Sequence, residues 1–98
     1  MELAGRWALV TGAARRVGRI IARTLAERGA NVVVHFHHSA DAAAATVREL
    51  TGLGVEACAL RADLARADEV AALAQEAEAR SGGIALLVNN ASNYLRVP

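Results

Sequence analysis

The sequence predicts an α/β fold, the N-terminal half of a doubly wound parallel sheet. Three observations carry that prediction. Strand-sized apolar runs alternate with helical patterns through the whole chain. One run, Val32-Val33-Val34, is continuously β-branched, as in a parallel strand buried on both faces. A glycine turn, Thr11-Gly12-Ala13-Ala14-Arg15-Arg16-Val17-Gly18, joins the first apolar run to the first helical pattern.

The elements follow in order. A first strand is predicted over residues 7–11 and a first helix over 16–28, with Val17, Ile20, Ile21 and Leu25 on its inward face and Gly29 at its end. A second strand covers 31–36. Ser39 is placed to cap a second helix that runs to about residue 51, with Ala43, Val47 and Leu50 facing inward. Gly52 and Gly54 break the chain before a third strand over 55–60. A third helix over 66–80 has Val70, Leu73 and Ala77 in register and ends at Ser81-Gly82-Gly83. A fourth strand covers 84–89. Right-handed crossovers then place the strands in the order 3-2-1-4, a Rossmann-type arrangement. No domain boundary, repeat or low-complexity tract interrupts it. The chain reads as part of a single nucleotide-binding domain.

Composition narrows the function. The 98 residues can bury about 60–65% of their unfolded surface, and a hydrophobic fraction of 54% excludes intrinsic disorder. The net charge of +1 gives no reason to expect a nucleic-acid or membrane surface. All eleven basic residues are Arg. The start, Met1-Glu2-Leu3-Ala4-Gly5-Arg6, has no basic n-region and no long apolar h-region, so a secretory signal is not expected. Cys58 lies alone in an apolar run, which suits a small core residue in a reducing cytoplasm.

The turn is where a ligand is expected. Gly12 lets the chain leave the strand sharply, Gly18 lets the helix approach closely, and the N–H groups of the helix's first turn face a pyrophosphate. An NAD-selective site places an acid near the end of the second strand to hold the ribose 2′-hydroxyl. This chain has His35-Phe36-His37-His38-Ser39 there, and its next acid, Asp41, falls in the second helix. Without a carboxylate, His37, His38 and Ser39 can donate to a 2′-phosphate, and Arg15 or Arg16 can add a charged bond. NADP(H) is therefore expected over NAD. The alternatives at that run are three histidines on a solvated loop, or a metal set of His35, His37 and His38 that no carboxylate or Cys completes. Asp63-Leu64, after the third strand, suits either an adenine contact or a cap on the third helix. Asn89-Asn90-Ala91-Ser92 ends the fourth strand at the switch point and leaves room for a nicotinamide ribose, or is a plain polar turn.

On these residues the chain resembles the N-terminal half of a short-chain dehydrogenase/reductase, from Gly5 to its end. The family's Thr-Gly-x-x-x-Gly-x-Gly matches at Thr11, Gly12 and Gly18, with Arg16 at the middle glycine. Its Asp after the third strand matches Asp63, and its Asn-Asn-Ala-Gly matches Asn89, Asn90 and Ala91, with Ser92 for the glycine. Those departures, with the His35-Phe36-His37-His38-Ser39 run after the second strand, resemble pteridine reductases. That likeness implies that Arg16 reaches cofactor phosphate and pterin, that Ser92 contacts the pterin, and that Tyr94 stacks it against the nicotinamide. The family's catalytic Ser and Tyr-x-x-x-Lys have no counterpart here, since the chain has no Lys. The resemblance thus implies a cofactor-binding half of a longer NADP-dependent reductase, a homo-oligomer acting on a small molecule, with no catalytic residue in this chain and no activity from it alone. The alternatives are a 3-oxoacyl-carrier-protein reductase or other carbonyl reductase of the same family, and a non-catalytic NADP-binding module.

Overall fold

The computed structural model describes residues 2–91. Four parallel strands, β1 (Trp7–Val10), β2 (Asn31–Phe36), β3 (Ala57–Arg61) and β4 (Ile84–Val88), lie in the order β3-β2-β1-β4. Helices α1 (Arg16–Glu27), α2 (Ala40–Gly52) and α3 (Ala67–Ser81) connect them. The parallel Rossmann-type sheet is as the sequence predicts, and element ends differ from the expected ones by one or two residues.

Strand alternation sorts the core into two layers. Val10, Val32 and Val34 point to one face, where they meet Ala22, Ala26, Ala43 and Leu50 of α1 and α2. Leu9 and Val33 point to the other, with Ala77 of α3. Every residue of Val32-Val33-Val34 is fully buried because helices cover both sides of β2.

The helix faces correct the sequence reading. Val17 and Ile20 of α1 are exposed, at 60% and 65%, and the buried residues are Gly18, Ala22 and Ala26, of which Ala22 and Ala26 meet the sheet. The stripe is rotated by about one residue, roughly 100°, from the expected face. Small side chains four apart let the helix backbone lie close on the sheet, and Ile21 and Leu25 flank that contact. Val70 of α3 is likewise 40% exposed, whereas Leu73 and Ala77 are buried. In α2 the buried set is Ala43, Thr46 and Leu50, with Val47 packed at its margin. Thr46 is tolerated in the core because its hydroxyl donates to the Ala14 carbonyl at 2.8 Å. Glu49 joins α2 to α1 through Arg19 at 2.8 Å and Arg23 at 2.6 Å. Among the described residues, no helix is long and apolar enough to cross a membrane.

Candidate functional site

The glycine turn is packed too tightly for side chains at its two glycines. Gly12 has φ 62°, and a Cβ there would press on Ala91 and Asn90 at 3.2–3.3 Å. A Cβ on Gly18 would overlap the Gly12 carbonyl oxygen and crowd the Asn90 amide at 2.7 Å. Close packing at Gly18 is therefore against the turn itself, which refines the expectation that it serves helix–sheet contact. Arg16 has φ 57°, the only non-glycine residue with positive φ among the described residues. Its backbone keeps the left-handed conformation that glycine adopts without cost, which makes a glycine at this position easy to understand.

The first amides of the turn are used within the protein. Thr11 N–H donates to the Val88 carbonyl, Gly12 N–H to His35 Nδ1 at 2.9 Å, and Ala13 N–H to the His35 carbonyl at 3.0 Å. The first helix-type bond runs from Arg19 N–H to the Arg15 carbonyl. The N–H groups of Arg16, Val17 and Gly18 are thus the first-turn donors that an anion can meet.

The turn forms one wall of a cleft of about 560 Å³. Gly12, Arg15, Arg16 and Val17 lie on that wall; Gly18, packed on the Gly12 carbonyl, does not line it. The end of β2 supplies His37, His38 and Ser39, the segment after β3 supplies Asp63 and Leu64, and the end of β4 supplies Asn90 and Ala91. The expected site residues among 2–91, Gly18 excepted, therefore line one space. Ser92 and Tyr94 lie outside the described residues.

Several local expectations are corrected. Ser39 sits at the N-cap of α2, but its side chain makes no capping bond; its carbonyl accepts Ala43 N–H, and the side chain is left on the cleft. Asp63 does not cap α3, whose N-cap is Arg66. Its Oδ1 accepts Ala65 N–H at 3.0 Å in an Asx-type turn, and its Oδ2 lies 3.8 Å from His37 Nε2. The His37 and His38 rings stack with centroids 3.7 Å apart. His35 is not on a solvated loop: it belongs to β2, and its second nitrogen, Nε2, meets the Ala62 carbonyl at 2.8 Å. Both its nitrogens are engaged, so it does not serve a metal set with His37 and His38.

Three residues hold the site together in ways the sequence reading does not assign. Thr11 Oγ1 accepts the N–H groups of Asn90 and Ala91, at 2.9 and 3.1 Å, and donates to Asn89 Oδ1 at 3.1 Å. That hydroxyl locks the end of β4 to the turn, and the Asn90 amide returns a bond to the Gly12 carbonyl at 3.2 Å. Glu69 accepts Asp63 N–H at 2.8 Å; that bond, with Arg61 and Arg66 nearby, holds its carboxyl below the usual value. His35 is the third. Burial lowers it from its ordinary 6.5, with the Ala62 bond opposing and His37 adding to the effect. Thr11 was visible only as part of the turn pattern, and a buried histidine carries no periodicity signal of its own.

This cleft, at the carboxyl ends of parallel strands around a glycine turn, defines a dinucleotide-type site. The family model for short chain dehydrogenases matches residues 6–97, and the chain belongs to that family. It is 48% identical over 84 residues to a 3-oxoacyl-[acyl-carrier-protein] reductase of Staphylococcus epidermidis, covering 86% of this chain and 34% of that protein. It is 41% identical over 97 residues to a hydroxynaphthalene reductase-like protein of Metarhizium guizhouense, covering 99% of this chain and 36% of that one. A short chain dehydrogenase of Burkholderia cenocepacia, solved in complex with NADP, superposes with a TM-score of 0.88 at 40% identity, covering 93% of this chain and 37% of that one. The chain spans about a third of the length of these relatives.

Proposed function

We propose that the cleft binds NADP(H) and that residues 1–98 form the N-terminal part of the single dinucleotide-binding domain of a short-chain reductase. The observation that carries this is the cleft of about 560 Å³ at the carboxyl ends of the strands, walled by the tightly packed glycine turn on one side and, on the other, by a β2 end that has histidines and a serine where an acid would favour NAD. In this reading the N–H groups of Arg16 to Gly18 meet the pyrophosphate. Arg15 and Arg16 on one wall and His37, His38 and Ser39 on the other donate to the 2′-phosphate. Asp63 accepts from the adenine amine, with Leu64 against the ring. Asn90, Ala91 and Ser92 border the nicotinamide ribose. The bound cofactor supplies hydride. The chain contains no Lys, so the proton-handling Ser and Tyr-x-x-x-Lys of the family are placed elsewhere in the natural protein. That protein is read as a cytoplasmic homo-oligomer.

Two substrate classes compete. The 3-oxoacyl reductase among the relatives favours a 3-oxoacyl thioester. Arg16 in place of glycine at the cleft, with Ser92 and Tyr94, favours a pterin ring. NADPH oxidation by the full natural protein, assayed with a 3-oxoacyl thioester and with a dihydropterin, separates them. Turnover of either supports the reductase and assigns its substrate. NADPH binding with no turnover of any carbonyl or pterin compound identifies a binding module. Absence of NADPH binding removes the reading.

A further inference from the structure

His35 contacts both sides of the cleft although it is only 2% exposed. Gly12 N–H is a donor, so the Nδ1 it meets at 2.9 Å carries no proton. The ring proton therefore sits on Nε2 and is donated to the Ala62 carbonyl at 2.8 Å. Gly12 belongs to the turn after β1, and Ala62 directly precedes Asp63. The backbone repeats the connection: the His35 carbonyl accepts Ala13 N–H, and the Phe36 carbonyl accepts Ala62 N–H, both at 3.0 Å.

We propose that His35 is a positioning residue of the dinucleotide site: as the neutral, Nε2-protonated imidazole it ties the glycine turn to the β3–α3 segment and sets the distance between the phosphate-facing and adenine-facing walls. This rests on the reading of the cleft as a dinucleotide site. The bond also occupies the Gly12 amide, which directs an anion to the later N–H groups of Arg16 to Gly18.

The tie works in one protonation state. An imidazolium carries N–H on both nitrogens, so Nδ1–H would face Gly12 N–H, donor against donor. Release of the turn on protonation follows. The charged and titratable groups around the ring are His37 and His38 beyond the same strand, Asp63 and Glu69 on the β3–α3 side, and Arg15 and Arg16 on the turn. Burial and His37 both disfavour the imidazolium. The ring length matters as well. Asn at this position offers an acceptor to Gly12 but is too short to reach Ala62, and Leu offers neither.

The test uses the full natural protein. Nitrogen-15 NMR of its histidines at neutral pH should show one ring locked as the Nε2–H tautomer, assigned to His35 by its disappearance in His35→Asn. NADPH titration followed by cofactor fluorescence should give a Kd raised about tenfold or more in His35→Leu, the scale of a lost buried hydrogen bond. His35→Asn, which keeps the acceptor for Gly12 but not the bond to Ala62, should recover only a minor part of that loss, and kcat at saturating NADPH should stay near the parent's. In the parent, NADPH Kd should rise once pH falls through the His35 titration, which burial places below the ordinary histidine range, and this rise should be absent from His35→Asn. An Nδ1–H tautomer, or a folded His35→Leu with unchanged Kd, overturns the positioning role alone. A locked Nε2–H ring in a protein that does not bind NADPH overturns the dinucleotide reading, and the positioning role with it.

Discussion

β2 and β4 flank β1 and carry similar apolar sequences, yet they end in different surroundings. Val32, Val33 and Val34 of β2 are fully buried, with α1 and α2 over one face and α3 over the other. In β4, Leu87 is 61% exposed and its neighbours are only half-buried. Leu87 pairs with Leu9 and borders a shallow groove of about 380 Å³ with Val70 and Leu73 of α3. An apolar run indicates that a strand is to be buried; it does not supply the cover. The β2 side of the sheet, where the glycine turn and His35 lie, has its cover and its hydrogen bonds within residues 2–91. For the face of Leu87, no such cover is present among those residues.

The largest effect expected from a single change is on the closed side. Gly18→Ala puts a carbon into the Gly12 carbonyl oxygen, so backbone must move, and about 3 kcal/mol of stability should be lost in urea unfolding. A loss below about 1 kcal/mol would show that the turn is looser than its geometry implies.

Arg16→Gly separates fold from ligand. It relieves a left-handed residue, so stability should hold or rise by about 1 kcal/mol. NADPH or substrate binding should weaken by about 1.5–3 kcal/mol, the scale of a charged hydrogen bond. Unchanged binding in calorimetric titration would reduce Arg16 to a solvated side chain.

Thr11→Val removes the hydroxyl that holds Asn90 and Ala91. Two amides lose their acceptor, and about 1–2 kcal/mol should be lost, with β4 loosened relative to β1 in hydrogen exchange. Equal protection of β4 in both proteins would contradict the hub role.

The smallest effect on stability belongs to the open side. Leu87→Thr in a polypeptide of residues 1–98 should change stability by less than about 0.5 kcal/mol. The same change should reduce the self-association expected of that polypeptide, whose β4 presents an apolar face and an edge. Light scattering that shows a monodisperse monomer before the substitution would contradict this.

How much was legible in the sequence follows the same division. The strand order and β2 were readable because a Val run has one structural meaning in an α/β chain. The glycine turn was readable because its spacing answers to backbone geometry. The buried face of α1 was not, because large side chains dominate a periodicity reading while contact is made by Gly18, Ala22 and Ala26. His35 was not, because His35, His37 and His38 look alike in sequence and only the packing separates the buried ring from the two at the cleft. Asp63 was readable as a cleft residue, but its Asx-type turn depends on where α3 begins.

The central claim is that the cleft is an NADP-selective site, and the most direct test is the ratio of Kd for NADH and NADPH on the full natural protein. The account predicts tighter NADPH binding by about tenfold or more, since a 2′-phosphate gains charged hydrogen bonds and meets no acid at the β2 end. His38→Asp should move the ratio toward NADH. Equal affinity for the two cofactors in the unmodified protein would contradict it.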